Sequence, residues 1–241
     1  MISVLAYNVA FGRKLDKIEK WLLKQPDFDI ICFQEFPFSE DSQFLKNFKE
    51  RGYDYKFSPT SHLTTIFLRI HGKHGELTLY KKSKLTLLSS HVIKLGPNFL
   101  EKRFRVEGEK TSLLTVFQYG KQKLVVTNSQ LVCYAINSRR INQIAKILKK
   151  VKSLGDDSKF ATVILGDFNY TSRFRQKKLI EFMAKNDLTN AYKGTTHKYL
   201  FIAQQIDYVF SNNCTVKNVK IDRKIKFSDH SPVTFNIDFA K

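Results

Sequence analysis

The stretch Ala161-Thr162-Val163-Ile164-Leu165-Gly166-Asp167-Phe168-Asn169 decides how the chain is read. Its first five residues are apolar or β-branched, the mark of a strand buried on both faces. The run stops at a glycine, and an acid and an amide follow within three residues. A strand that ends this way delivers polar groups to the edge of a packed sheet, where they converge with others in a cleft.

The same pattern recurs along the chain. Ile2–Asn8 is a short β-like run ending in an amide, and Ile30–Phe33 runs into Gln34-Glu35. Ile206–Phe210 carries Asp207 near its head, and Ser228-Asp229-His230-Ser231-Pro232 precedes a last strand at Val233–Phe239. Further strands are predicted around 64–70, 76–80, 85–93, 112–119, 123–128 and 215–221. Helices are predicted where apolar residues recur at helical spacing. These are Leu15, Ile18, Trp21 and Leu22, with a stop at Pro26; Phe44, Leu45 and Phe48; Ile141, Ile144, Ile147, Leu148 and Val151; and residues 175–186. Many strands with interspersed helices, but no strict βαβ alternation, favour an α/β sandwich over a barrel or a Rossmann sheet. There is no Pro/Gly/Ser-rich linker and no internal repeat, so one domain over residues 1–241 is expected.

The 241 residues carry 41 Lys and Arg against 22 Asp and Glu, a formal net charge of +19. The excess is uneven. Residues 1–120 hold 19 basic and 13 acidic side chains, a net of +6, whereas 121–241 hold 22 and 9, a net of +13. Such a surface attracts polyanions, so nucleic acid, anionic lipid headgroups and small phosphorylated substrates are the partners to consider. A hydrophobic content of 42% with 10 Gly and 5 Pro excludes a disordered or collagen-like chain. The N-terminus does not read as a secretory signal, and no stretch is long and apolar enough for a transmembrane helix. Cys32, Cys133 and Cys214 have no metal-ligand spacing and form an odd count, so three reduced, core-like thiols of a cytoplasmic, monomeric protein are expected. His62, His71 and His74 read as surface residues, and Tyr7 and Tyr208 as packing residues.

The residues at the strand ends suit one chemistry. Glu35 and Asp229 are hard oxygen ligands of the kind that hold Mg²⁺ or Mn²⁺. Asn8 and Asn169 orient a water or a phosphate oxygen without adding charge. Asp167 is placed to accept a proton from water, and His230 to bind a phosphate oxygen or act as acid or base, with Asp207 fixing its tautomer. Together they describe metal-assisted attack of water on a phosphate ester.

Asn8, Gln34-Glu35, Gly166-Asp167-Phe168-Asn169, Ile206-Asp207-Tyr208 and Ser228-Asp229-His230-Ser231-Pro232 resemble, in order and spacing, the signature of the endonuclease/exonuclease/phosphatase superfamily. The motifs span residues 8 to 232. The resemblance implies a deoxyribonuclease I-like α/β fold, a four-layer sandwich of two packed, mainly antiparallel β-sheets flanked by helices, and a divalent-metal phosphohydrolase. It implies that Glu35, with Asn8 and Asp229 near it, holds the metal. Asp167, Asn169, Asp207 and His230 would be the catalytic set.

One position departs from the pattern. Many members carry Asn-Thr-His-Leu in the middle strand, with the His at the scissile phosphate, whereas this chain reads Asn128-Ser129-Gln130-Leu131. Gln130 donates a hydrogen bond but carries neither a titrating proton nor a charge. Asn128 and Gln130 are expected at the substrate, as is Arg139 at the head of the following helix. The run Arg173-Phe174-Arg175-Gln176-Lys177-Lys178 begins four residues after Asn169 and is expected to rim the cleft, with Arg173, Arg175 and Lys177 on phosphate. Glu76 sits where some members have a Glu that supports the missing His.

The charge selects among substrates. It favours a phosphodiesterase acting on DNA or RNA, since each neutralised phosphate releases counterions. A phosphoesterase for phospholipid or inositol phosphate headgroups is the alternative, and a catalytically weak nucleic-acid-binding protein on the same fold is the third reading.

Overall fold

The computed structural model describes residues 1–62, 73–96, 109–133, 135–155, 160–199 and 202–239. The expected strand at 64–70 and the residue His71 lie outside the described residues. Two six-stranded mixed sheets stack face to face, with helices on both outer faces, as the resemblance implies.

The first sheet has the order β13(Cys214–Ile221), β14(Val233–Phe239), β1(Ile2–Asn8), β2(Ile30–Phe38), β4(Lys73–Lys81), β3(Tyr53–His62). The second runs β5(Thr86–Gly96), β6(Lys110–Tyr119), β7(Gln122–Gln130), β8(Phe160–Asp167), β12(Asp207–Asn212), β9(Thr189–Asn190). A small hairpin, β10(His197–Tyr199) and β11(Ile202–Gln204), stands apart. Each six-stranded sheet contains one parallel pair, β1 with β2 and β7 with β8, and its other pairings are antiparallel. A parallel pair needs a crossover. Helix α1(Leu15–Leu22) supplies the first, and the longer α3(Asn137–Lys152) the second. Helix α2(Gln43–Glu50) packs beside α1, and α4(Arg173–Ala184) beside α3.

Both faces of the central strands are buried, which is why they read as continuous apolar runs. Alternate side chains then divide cleanly between layers. Ile2, Val4 and Ala6 of β1, Ile30 and Cys32 of β2, and Ala161, Val163 and Leu165 of β8 fill the space between the sheets. Leu5, Tyr7, Ile31 and Phe33 face α1 and α2, while Ile164 faces α3 and α4. Helix α3 contributes Ile144, Ile147, Leu148 and Val151, an i, i+3, i+4, i+7 stripe, and its last turn holds Lys149, Lys150 and Lys152, which favour a helix C-terminus. Ser42 and Ser172 cap α2 and α4 by accepting backbone N–H bonds from Leu45 and Arg175.

Three expectations are corrected. His74 is buried rather than exposed, edge-on to the Phe11 ring at 5.0 Å. Cys133 is exposed rather than core-like. The segment 53–62, not read as a strand, forms β3 at the sheet edge, where Pro59 is tolerated because no neighbour needs its missing N–H.

Candidate active site

The layer between the sheets changes character at one end. On β1 the inward phase runs Ile2, Val4, Ala6 and then Asn8. On β2 it runs Ile30, Cys32, Gln34, and on β8 Ala161, Val163, Leu165, Asp167. Parallel pairing sets Asn8 against Gln34 and Gln130 against Asp167, while antiparallel pairing sets Asp207 against Asp167. Strand register alone therefore gathers polar groups from positions 8 to 207 at one edge.

Backbone strain aims them. Glu35 has φ of 54°, in a bulge where β2 loses register with β4 between Phe33 and Phe36. Asn169, just past β8, has φ of 54° as well. Non-glycine residues in this region are held there by their surroundings and cluster at functional sites. Gly166 has φ of 128°, and a Cβ there would lie 2.0 Å from the Ser129 carbonyl oxygen. The close approach of β7 to β8 beside Asp167 thus requires glycine.

At the centre, His230 is buried between three carboxylates. Its Nδ1 lies 3.0 Å from both oxygens of Asp207. An ionised carboxylate only accepts, so Nδ1 carries the proton. Nε2 then lies 3.9 Å from Asp167 Oδ2. Burial disfavours the imidazolium, but the charges of Asp207, Asp167 and Asp229 outweigh it and raise His230 to about 10. Burial raises Asp167 to about 6; the His230 charge opposes the shift, and the charges of Asp207 and Glu35 add to it. Asp167 Oδ2 accepts from Asn8 Nδ2 at 3.2 Å, and Oδ1 accepts from the Asn169 backbone N–H at 3.0 Å. Asn169 is itself tied by its side-chain NH₂ to the Leu131 carbonyl at 2.9 Å.

Asp207 is anchored by a residue that the sequence reading missed. Thr196 Oγ1 accepts the backbone N–H of Ile206 and of Asp207, at 3.2 and 3.1 Å. The neighbouring His197 was also missed. It pairs with Asp229 (Nε2 to Oδ2, 3.3 Å) and packs edge-on to His230, with ring centroids 4.9 Å apart. Burial opposes ionisation of Asp229, but His197 and His230 overcome it and hold the carboxyl well below its usual range. His197, Asp229 and His230 bring their ligand atoms within 4.8 Å of one another. Asp229 is the carboxylate of this group, and Asn8 and Glu35 stand close to Asp167 at the same polar edge; carboxylate and amide oxygens are of the kind that suit a hard divalent cation.

The residues expected at the substrate divide. Asn128 is fully buried: its NH₂ donates to the Phe33 and Leu77 carbonyls, both at 3.0 Å, and its oxygen accepts from Gln34 at 2.6 Å. It ties the two sheets together and has no surface to offer a substrate, which corrects its assignment. Gln130 does reach the edge, where its NH₂ donates to Glu35. Its oxygen accepts from Lys110 Nζ at 2.7 Å, another contact the sequence reading missed. Arg139 is exposed at the head of α3, while its neighbour Arg140 is buried and bonds the Val132, Cys133 and Ala135 carbonyls. Arg173 and Lys177 line a cavity of about 960 Å³, together with Gln176, Lys193, Gln205 and Tyr208. Tyr208 follows Asp207 in sequence but faces the other side of β12, toward α3 and α4, so this cavity lies on the helix side of the sheet. Arg175 is only partly exposed. Among the described residues, no helix is long and apolar enough to cross a membrane.

The model of the Endonuclease/Exonuclease/phosphatase family matches residues 5–230. No curated protein matches the sequence. Solved structures do match. The human Nocturnin catalytic domain with bound sulfate anion is 20% identical, covering 99% of this chain and 94% of that one, with a TM-score of 0.74. ANGEL2, a 2′,3′-cyclic phosphatase in complex with adenosine-2′,3′-vanadate, is 14% identical over 99% and 95%, with a TM-score of 0.72. A mannosyl-6-phosphatase of Bacteroides thetaiotaomicron is 18% identical over 99% and 100%, with a TM-score of 0.70.

Proposed function

The chain belongs to the Endonuclease/Exonuclease/phosphatase family, and from that premise we propose that it is a divalent-metal-dependent phosphodiesterase acting on nucleic acid, with residues 1–241 forming one catalytic domain. The observation that carries the reading is the buried set Asp167, His230 and Asp207, joined at 3.0 and 3.9 Å at the polar end of the inter-sheet layer.

Each residue has a role that its surroundings support. Asp167, raised to about 6, is ionised at neutral pH yet basic enough to accept the proton of an attacking water. Asn8 and the Asn169 backbone N–H hold its two oxygens in place. His230, raised to about 10, is a cation at neutral pH. It acts as a donor to a phosphoryl oxygen or as the acid for the leaving group, and Asp207 keeps the Nε2–H turned toward the cleft. Glu35, Asn8 and Asp229 would hold Mg²⁺ or Mn²⁺, which when bound supplies Lewis acidity to the phosphoryl group.

Nucleic acid is favoured by the net charge of +19 and by the basic residues Arg173, Lys177 and Lys193 gathered around one cavity. A nucleotide chain extends past the scissile phosphate and would place further phosphates near Arg173, Lys177 and Lys193. Two of the similar structures are a mannosyl-6-phosphatase and a 2′,3′-cyclic phosphatase, so a small phosphate ester is the reading to exclude. A cleavage panel decides. Single- and double-stranded DNA, RNA, inositol phosphates, a hexose 6-phosphate and phospholipid vesicles are each incubated with Mg²⁺ or Mn²⁺ and with EDTA. Metal-dependent cleavage of an oligonucleotide in preference to the rest supports the reading. Preferred turnover of a soluble phosphate or of vesicles overturns the substrate assignment.

A further inference from the structure

Lys110 opens β6 and is 1% exposed. A lysine is almost never so deeply buried without partners that reward its charge. Its ammonium lies 2.7 Å from Gln130 Oε1. Behind it lies Glu76, itself fully buried and bonded by the hydroxyls of Thr60 and Thr111 at 3.1 and 2.9 Å. Burial raises that carboxyl to about 8, and the hydroxyl of Thr111 and the Lys110 charge pull against the shift. A line of groups therefore runs Glu76, Lys110, Gln130, Glu35, from the interior to the edge of the cleft.

The chemistry of each member fixes the next. An ammonium has three donors and no acceptor, so the atom of Gln130 facing Lys110 must be the oxygen. The NH₂ must then face the other way, and it does, toward Glu35. Without Lys110 the two ends of a primary amide are nearly interchangeable in shape, and the flipped form would aim an oxygen at anionic groups. Asp167, the register partner of Gln130, makes the cleft end of β7 more anionic still.

Resting on the reading of this cleft as a phosphoesterase site, we propose that Lys110 is a positioning residue that locks the Gln130 amide with its N–H donors turned into the cleft, for Glu35 and a substrate phosphoryl oxygen. The buried ammonium supplies, from behind, the positive charge that a neutral amide lacks. The pair performs with two residues what one ionisable side chain would do.

A double-mutant cycle tests this, with bis(p-nitrophenyl) phosphate and Mg²⁺ as probe, so that it does not depend on the natural substrate. Gln130→Leu should lower kcat by ~10²-fold, the usual cost of removing one aimed donor. Lys110→Met should lower kcat by at least ~10-fold with little change in KM, and Lys110→Arg, still donor-only, should recover most of the loss. In the Gln130→Leu background, Lys110→Met should cost nothing further, because the amide it positions is gone. Equal losses in both backgrounds would overturn the proposal. A second readout needs no turnover: the Gln130 side-chain NH₂ resonances of the apoprotein. They should be shifted and slow to exchange in the wild type and in Lys110→Arg, and averaged in Lys110→Met. Unchanged Gln130 resonances in a folded Lys110→Met protein would overturn the proposal even if the wild type cleaves no phosphodiester, a result that would count against the cleft assignment alone.

Discussion

At the residue scale, the pKa of both central groups of the site is raised, Asp167 by burial and His230, against burial, by the carboxylate charges around it. Asp167 and His230 face each other at 3.9 Å, one raised to about 6 and the other to about 10. The proposed mechanism needs Asp167 ionised and His230 protonated. The rate should therefore fall as the pH drops below about 6 and fall again above about 10, with a plateau between. A profile of kcat/KM against pH checks both limbs, and Asp207→Asn should pull the alkaline limb down because it removes the leading charge that raises His230. Glu76 gives a separate stability prediction. Burial pushes it up to about 8, against the hydroxyl of Thr111 and the charge of Lys110, while the unfolded group titrates near 4.5. The native state holds that proton longer, so stability should decline as the pH rises from 4.5 to 8. Urea unfolding of Glu76→Gln at several pH values should show a shallower decline than the wild type; parallel curves would contradict the assignment. Asp167, Asp207, His230 and Glu35 were legible in the sequence because each ends or flanks an apolar strand. Asn128 was misread for the same reason: a buried amide that ties two sheets together looks, in one dimension, like an amide aimed at a substrate. Lys110 was not legible at all. Only the register that sets Ser112 of β6 against Ser129 of β7 brings it alongside Gln130.

At the element scale, strand phase is what positions the chemistry. The inward set of β8 runs 161, 163, 165, 167, and one residue of slippage would turn Asp167 toward α3 and α4. Gly166 holds that register. Its φ of 128°, and the 2.0 Å that would separate a Cβ from the Ser129 oxygen, leave no room for a side chain. Gly166→Ala should destabilise the protein by more than ~3 kcal/mol, or displace β7 from β8, as expected when strain adds to a backbone clash. Denaturant unfolding checks it, and a loss under ~1 kcal/mol would show that the two strands part easily at this point. The helices and central strands were readable from apolar spacing because both sheet faces are buried. Edge strand β3 escaped notice although Tyr53, Tyr55 and Phe57 alternate with Asp54, Lys56 and Ser58, since its Pro59 argues against a strand until the edge position is known. The pairing of β10 with β11 carried no signal of periodicity, and it is this hairpin that places His197 beside Asp229.

At the scale of the whole molecule, the chain surrounds a cluster of carboxylates with an excess of positive charge. Asp167, Asp207 and Asp229 are three of only nine acidic residues in the second half of the chain. A basic field around such a cleft should draw in a polyanion, with affinity that falls steeply with salt. Replacing Arg173, Arg175, Lys177 and Lys178 together should weaken oligonucleotide binding and flatten the plot of log K against log salt by ~0.7–0.9 for each phosphate no longer neutralised. An unchanged slope would assign that face of α4 to solvent. The fold was legible because its packing rules are repeated in every central strand. The substrate was less so, because charge and a basic cavity narrow the chemistry without reading a base. The most direct measurement is the rate at which the wild type and Asp167→Asn cleave an end-labelled oligonucleotide, DNA and RNA in turn, with Mg²⁺ at low salt. The account predicts that the wild type cleaves at least one of them and that the folded variant is at least ~10²-fold slower. No cleavage of either by the wild type, or equal rates for the two proteins, would contradict it.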